Sequence, residues 1–345
     1  MSRPLRVVHY GLGPIGQAIA RLTLATEGLK VVGATDVSAD KAGKDLGVLL
    51  GLPRKLRIKV MGDPNRFLRR TPADVAVLCT TSSLKDVKPQ VLALVKKGVH
   101  VVTTCEELAH PTPTHLASFR EIDKAAQKKK VSVLATGVNP GYAMDALALM
   151  LTAPCARVNR VAVTRVVDAG SRRLPLQRKV GAGLNINQFR RAITEGSVRH
   201  VGLAESVHMI ASALGFKIDR VEETLDPAIA PRDLDTEHLR IPAGAAAGIK
   251  QHARAYAGEE LLVSLDLQMY VGAESPRDHV HIDGIPTIDM TITGGIAGDV
   301  GTAAIVVNVI PKLMAARPGM LTMRDLPLLH RLNPGELKSL PKKPR

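Results

Sequence analysis

Tryptophan is absent from this sequence, and four phenylalanines and four tyrosines bring its aromatic content to only 2%. A stacking platform for nucleic-acid bases is hard to assemble from so few rings. The point matters because 47 basic residues against 32 acidic ones leave a formal charge of +15, which invites a nucleic-acid reading. The basic clusters, "KKK" at 128–130 and "PKKPR" at 341–345, fall at an expected helix end and at the chain terminus. Solvated surface is the expectation for both, with attraction of anionic nucleotides or acidic substrates as a milder role. No nucleic-acid partner is expected.

Cysteine is equally sparse. Cys79, Cys105 and Cys155 are widely spaced with no CxxC, which excludes a disulfide framework and argues against a cysteine-rich metal site. The eleven histidines include no HExxH, and His279 and His281 lie two apart on an expected strand without a further ligand identifiable from the sequence. No metal is expected. No apolar run reaches the ~18–20 residues of a bilayer span. The start "MSRPLRVVHYGLG" leads directly into a strand and lacks a signal-peptide pattern. The expectation is a cytoplasmic protein with no membrane partner.

A chain of 345 residues has material for two domains, each with its own core. Short apolar runs alternate with amphipathic segments over 1–140: "LRVVHYG", "LKVVGATD", "ADVAVLCTT", "VHVVTTC" and "VSVLATG" read as strands. Helices are expected over "PIGQAIARLTLAT", with Ile15, Ala18, Ile19 and Leu22 on one face, over "KPQVLALVKKG" and around 114–128. Strands so continuously apolar are covered on both faces, which means an α/β Rossmann domain with a doubly wound parallel sheet.

The pattern changes at 141–300. "ELLVSLDLQMYVGA" puts Leu261, Val263, Leu265, Leu267, Met269 and Val271 on one side and Ser264, Asp266, Gln268 and Tyr270 on the other. Such alternation belongs to a mainly antiparallel sheet with one open face, in an α+β domain for substrate and dimerisation. "GLAESVHMIASALG" is a helix with a stripe of Leu203, Val207, Ile210 and Leu214, ended by Gly215. In 301–345 the apolar helix "GTAAIVVNVIPKLMAARPG" has too little polar surface to stand alone. It is expected to pack back on the first domain or the junction, ahead of the basic tail.

"YGLGPIGQAIA" contains Gly11-Leu12-Gly13-Pro14-Ile15-Gly16, a GxGxxG that follows a strand and opens a helix. Such glycines allow a tight turn and let the backbone approach a pyrophosphate on the helix N-terminus. Asp36 ends the next strand, where a carboxylate can hold both ribose hydroxyls. The cofactor is thus NAD or NADP, with NAD favoured; Lys41 and Lys44 leave room for a 2′-phosphate. Thr80, Thr81 and Ser82 end a further strand, and either line the dinucleotide path or cap the helix that follows.

"VVTTCEELAHP" (101–111) leaves the next strand at the ligand side of such a sheet. Thr104 and Cys105 fall beside the cofactor, and Glu106 and Glu107 leave the strand in different directions. A carboxylate beside a nicotinamide can act as general acid or base and stabilise an iminium cation. The alternative is that both begin a helix, where acidic side chains favour the dipole. Cys105 is a rival as an acyl-forming nucleophile, against the plainer role of a buried small hydrophobe. Asn139, in "GVNPGYAMD", offers a donor and an acceptor to a carboxamide. "RVVDAGSRRLPLQRKVGAGLN" is a polar, glycine-punctuated stretch suited to wrapping a substrate, with Arg165 and Asp168 at its start.

Together "GLGPIG", "TTCEEL", "GVNPGYAMD", "RVVDAGSRRLPLQRKVGAGL" and "GGIAGDVGTAA" make the chain resemble 2,4-diaminopentanoate dehydrogenases and the related native amine dehydrogenases. These share the two-domain architecture of dihydrodipicolinate reductases. The resemblance implies NAD(P)-dependent interconversion of an amine with a ketone plus ammonia, by a homodimer. It also implies that the glutamate of the Cys-Glu motif, Glu106 here with Glu107 second, assists ammonia addition and loss of water. Dihydrodipicolinate reductase itself fits poorly, because no HH-x-x-K cluster is present. Pockets in this family often have aromatic walls; here Tyr142 and Phe189 are the aromatic candidates, alongside Asn139, Met144, Arg165 and Asp168. A mainly aliphatic pocket follows, for small aliphatic ketones or aldehydes or a diamino acid. Two other readings stay open: another NAD(P)-dependent carbonyl or imine reductase on the same scaffold, and a non-catalytic NAD-binding regulator.

Overall fold

The structure, a computed structural model, describes residues 3–338; the basic tail at 341–345 lies outside them. Two compact units are present, one of residues up to Gly141 together with those from Ala297 onward, the other Tyr142–Ile296.

The first unit begins with β1 (Leu5–Tyr10), α1 (Pro14–Ala25), β2 (Leu29–Thr35), the short α2 (Leu46–Leu49) and α3 (Pro64–Arg70), and β3 (Val75–Leu78). It continues through α4 (Leu84–Lys96), β4 (His100–Thr103), α5 (Leu116–Lys129) and β5 (Ser132–Ala135). The second unit holds α6 (Ala146–Leu151), β6 (Arg157–Asp168), α7 (Leu174–Lys179), α8 (Ile186–Thr194), α9 (Leu203–Leu214) and β7 (Arg220–Ile229). The hairpin β8 (Leu234–Asp235) and β9 (Arg240–Ile241) follows, then β10 (Ala246–Ala257), β11 (Glu260–Tyr270), β12 (Arg277–Ile285) and β13 (Ile288–Thr293). The chain returns to the first unit with α10 (Gly298–Asn308), α11 (Ile310–Ala315), β14 (Gly319–Leu321) and α12 (Pro334–Lys338).

The first sheet is parallel, six-stranded, in the order β14-β5-β4-β3-β1-β2. Its strands are buried on both faces, as their unbroken apolar runs require. Val8 and Tyr10 face a cluster built with Leu84, Val91 and Leu94 of α4 and Phe119 and Ile122 of α5. On α1 the fully buried positions are Gly16, Ile19, Ala20 and Thr23, one step round from the expected stripe. Ile15, Ala18 and Leu22 are half-buried, because α1 packs against α10 as well as against β1 and β2. Gly298–Ala315 is long and apolar enough by composition to cross a membrane, with mean hydropathy 1.3. In sequence Asp299 and Lys312 interrupt that run; in the structure half of it is buried as a core helix of this unit. The lysines at 128–130 are exposed at the end of α5, as expected of solvated surface.

The second sheet has the order β13-β12-β6-β11-β10-β7. It is mixed: β6 and β11 run parallel, and the other pairings are antiparallel. One face is apolar, with Val161, Val163, Val263, Leu265 and Val280 packed against Leu203, Val207 and Ile210 of α9. The other face is polar, and register aligns Thr224, His252, Asp266, Thr164, His279 and Thr291 in one row across it. His252 Nδ1 contacts Asp266 Oδ1. His279 and His281 do have a common partner: Asp289 of β13 bonds both, at 3.1 and 2.9 Å. Cross-strand pairing, which spacing alone does not display, supplies it.

Candidate functional site

Each glycine of the Gly11–Gly16 turn has its own reason to be there. Gly11 has φ +81°, and a Cβ on it would stand 2.3 Å from the Cys79 carbonyl oxygen. A Cβ on Gly16 would stand 2.1 Å from the Gly11 carbonyl oxygen, so α1 meets the turn only without a side chain there. Gly13 differs: its φ is an ordinary −62°, and a Cβ on it would meet nothing within 4 Å. That leaves an open cradle at the N-terminus of α1, where the first amides have no partner within the helix. Pro14 opens the helix without needing a partner, Ile15 is half-buried and Leu12 is fully buried.

Asp36 follows β2 and is 9% exposed. Its Oδ2 accepts from the Leu12 amide at 2.7 Å and from Lys41 Nζ at 3.1 Å, and its Oδ1 accepts from the Ser38 amide at 2.9 Å. Val37, next to it, is 75% exposed, an apolar side chain open to solvent beside a carboxylate. The sequence does not single out Val37; its one signal is an apolar residue directly after the acidic strand end. The set fits a dinucleotide: an anion over Gly13, a ribose at Asp36 and a purine face on Val37.

The end of β3 borders this turn, and the end of β4 lies next to that of β3. Thr80 Cγ2 is 3.1 Å from the Cβ position of Gly11, and Cys79 Cβ is 3.6 Å from that of Gly16. Thr80 Oγ1 donates to Gln90 Oε1 of α4 at 3.0 Å, and Thr81 Oγ1 accepts from the Ser83 amide at 3.1 Å. Ser83 is the residue that caps α4. Ser82 contributes its carbonyl, which accepts from Cys105 Sγ at 3.2 Å and from the Glu107 amide at 3.3 Å. Burial pushes the Cys79 thiol up to about 12, with a Thr104 hydrogen bond opposing and the Glu106 charge adding. Cys105 is 1% exposed, and burial first, then the Glu106 charge, pushes its thiol up. It is a small buried group and not a reactive thiolate.

Glu106 and Glu107 part at the turn Glu106–Leu108. Glu107 Oε2 accepts from the Leu84 amide at 2.7 Å and so closes the start of α4. Glu106 is half-exposed, its carboxylate has no hydrogen-bond partner among the described residues, and it lies within electrostatic reach of both Cys79 and Cys105. Past β5, the Thr136 hydroxyl is buried without a hydrogen-bond partner among the described residues. Gly141, at φ +122°, keeps a Cβ from standing 2.6 Å from that hydroxyl. Asn139 lies between them, half-exposed and joined to Pro140 by a cis peptide. The candidates Gly11–Gly16, Asp36, Thr80–Ser82, Thr104–Glu107 and Asn139 thus share one edge of the sheet, the carboxyl ends of β1 to β5.

The second unit gives its candidates other tasks. Arg165 lies opposite Asp278 across β6 and β12, bonding its Oδ1 at 2.5 Å and the Ile296 carbonyl at 2.6 Å. Asp278 Oδ2 closes the ring by accepting from the Ile296 amide at 2.7 Å. Both side chains are buried, so the charge of Arg165 is already paired within this unit. Phe189 is 0% exposed in the core with Val180, Val198 and Val271, and Met144 is 0% exposed against α9. Asp168 Oδ1 holds the amides of Gly170 and Gly272. Tyr142 is half-exposed. An arginine or a phenylalanine beside a polar loop reads the same in sequence whether it faces a ligand or the core.

A family model described as "2,4-diaminopentanoate dehydrogenase C-terminal domain" matches residues 142–340. The 2,4-diaminopentanoate dehydrogenase of Acetoanaerobium sticklandii is 31% identical over 335 residues, covering 94% of this chain and 94% of that protein. The chain belongs to the 2,4-diaminopentanoate dehydrogenase family. It is therefore an oxidoreductase acting on amines. An amine dehydrogenase of Streptomyces virginiae is 23% identical over 94% of this chain and 96% of its own. The solved amine dehydrogenase of Mycobacterium smegmatis superposes with a TM-score of 0.84 at 25% identity, over 96% of this chain and 98% of that one. The family model spans the second unit and most of the returning segment.

Proposed function

We propose that this protein is an NAD(P)-dependent amine dehydrogenase. It converts a small aliphatic ketone or aldehyde, ammonia and NAD(P)H, with a proton, into the amine, NAD(P)+ and water, and runs the reverse deamination on an amine or a 2,4-diaminopentanoate-like diamino acid. One observation carries this reading: the open cradle at Gly13 and the carboxylate of Glu106 leave strands on either side of β3, at the same edge of the sheet.

The bound nicotinamide supplies or takes up the hydride. Gly13 and the first amides of α1 hold the pyrophosphate, Asp36 the adenosine ribose, and Val37 covers the purine, with Thr80 and Thr81 beside the path. Asp36 favours NAD, since a carboxylate repels a 2′-phosphate. Glu106 takes a proton from the nitrogen of ammonia as it adds to the carbonyl carbon, and returns one to the hydroxyl that leaves as water. Its carboxylate then faces the iminium cation as hydride arrives. The resemblance to native amine dehydrogenases supports a homodimer, with small molecules as its other partners; light scattering on the purified protein tests that.

The decisive experiment is NADH oxidation at alkaline pH with a panel of ketones and aldehydes, with and without ammonium. Turnover that depends on ammonium is the expected result. Equal turnover without ammonium would make the protein a carbonyl or imine reductase and leave Glu106 needing another role.

A further inference from the structure

The carboxylate at the ribose position is already engaged. A carboxylate offers about four lone-pair positions. On Oδ2 of Asp36 the Leu12 amide and the Lys41 ammonium take two, at 2.7 and 3.1 Å, and on Oδ1 the Ser38 amide takes one, at 2.9 Å. What remains on Oδ1 can receive a single ribose hydroxyl. The grip on both hydroxyls by which a lone carboxylate selects NAD is closed while Lys41 holds Oδ2.

Lys41 is not a loosely hung surface lysine. Its side chain is 20% exposed, and its backbone sits in a hydrogen-bonded turn: its amide and that of Ala42 both donate to the Ser38 carbonyl, at 3.0 and 2.9 Å. The Lys44 amide donates to the Lys41 carbonyl at 3.1 Å. Asp40, bonded by the Ser38 hydroxyl, and Lys44 are the other charges that act on this turn. The turn therefore presents an ammonium group, with N–H donors to spare, beside the carboxylate that receives the ribose. A 2′-phosphate brings roughly two negative charges, which Asp36 opposes and an ammonium at this distance offsets.

We propose that Lys41 sets the choice between NAD and NADP, reading the 2′ position of the adenosine ribose jointly with Asp36 so that both coenzymes are accepted. The inference rests on the nucleotide site proposed above.

Direct binding tests it without turnover. NADH and NADPH are titrated separately, by nicotinamide fluorescence, into the wild type and the Lys41→Ala, Lys41→Arg and Asp36→Ala proteins. The wild type binds both. Lys41→Ala loses about tenfold or more in NADPH affinity relative to NADH, Lys41→Arg restores it, and Asp36→Ala shifts the ratio toward NADPH. The ratio within one protein is insensitive to the fraction folded. Lys41→Ala weakening both coenzymes equally would overturn the proposal and leave Lys41 a packing role, as would a wild type that binds NADH alone. A wild type that binds neither coenzyme would overturn the nucleotide site itself, a different failure with a different signature.

Discussion

Glu107 Oε2 lies 2.7 Å from the amide nitrogen of Leu84, so one of two adjacent carboxylates closes a helix while its neighbour Glu106 stays uncommitted. The two should separate by readout. Glu106→Gln keeps the shape and removes the proton chemistry, and kcat is expected to fall about 10²–10⁴-fold with the melting temperature unchanged. Glu107→Ala removes an acceptor from the first turn of α4, which costs about 1 kcal/mol of stability, with kcat within a few-fold of wild type. Steady-state rates and melts on both variants decide it, and a fully active Glu106→Gln protein would sink the assignment.

The buried pair of Arg165 and Asp278 is expected to be intolerant of half-removal. Asp278→Ala leaves the Arg165 guanidinium buried without its carboxylate, and a loss of about 3–5 kcal/mol is expected in denaturant unfolding. Replacing both, Arg165→Met with Asp278→Leu, should recover most of that, because no uncompensated charge remains. A double variant as unstable as the single one would show that the bonds to Ile296, not the charges, hold the strands.

Acid should weaken the first unit through His9. Its ring nitrogens are buried without hydrogen-bond partners among the described residues, and burial lowers its pKa to about 4 from an ordinary 6.5. Between those values the unfolded chain binds a proton that the folded chain refuses. Stability is therefore full above about pH 6.5 and declines as pH falls toward 4, by on the order of 3 kcal/mol. His200 in the second unit acts in the same sense: burial, with the Lys179 and Arg165 charges, lowers it to about 3. Melts of wild type and His9→Leu at about pH 7 and about pH 5 test this. The variant should lose less on acidification; an equal loss would remove His9 from the account.

Two glycine-to-alanine changes in one turn are expected to behave oppositely. Gly13→Ala meets open space at an ordinary φ, so it should fold as wild type and lose NADH affinity about tenfold or more. Gly16→Ala drives a methyl into the Gly11 carbonyl and should destabilise by about 1–3 kcal/mol whether or not nucleotide is present. Paired melts and NADH titrations distinguish them, and unchanged NADH binding by Gly13→Ala would mean the cradle holds something else.

Local signals made the nucleotide edge legible. A glycine turn, an acidic strand end and "TTCEEL" each lie within a few residues, and the period-two pattern of β11 already separates the two faces of its sheet. What stayed hidden depends on partners far apart in the chain. The alternation of β6 and β11 is the same whether they run parallel or antiparallel, so the mixed character of that sheet is invisible until they pair. Asp278 stands 113 residues from Arg165, and nothing near either residue announces the other. β14 is three residues long, too short to show any period, yet it extends the first sheet by pairing with β5. Lys41 was visible as a nearby cation, but not that it occupies Asp36 Oδ2.

The return of the chain to its first unit has a consequence for synthesis. A ribosome delivers β1 to β5 early, but the sixth strand, Gly319–Leu321, and the helix that covers α1 emerge only after the whole of the second unit. Tyr142–Ile296 is continuous and can close on itself as it leaves the tunnel. The unit that is begun first is therefore finished only after its neighbour, and its glycine turn waits on a nascent sheet whose edge beside β5 stays open until the second unit has been made.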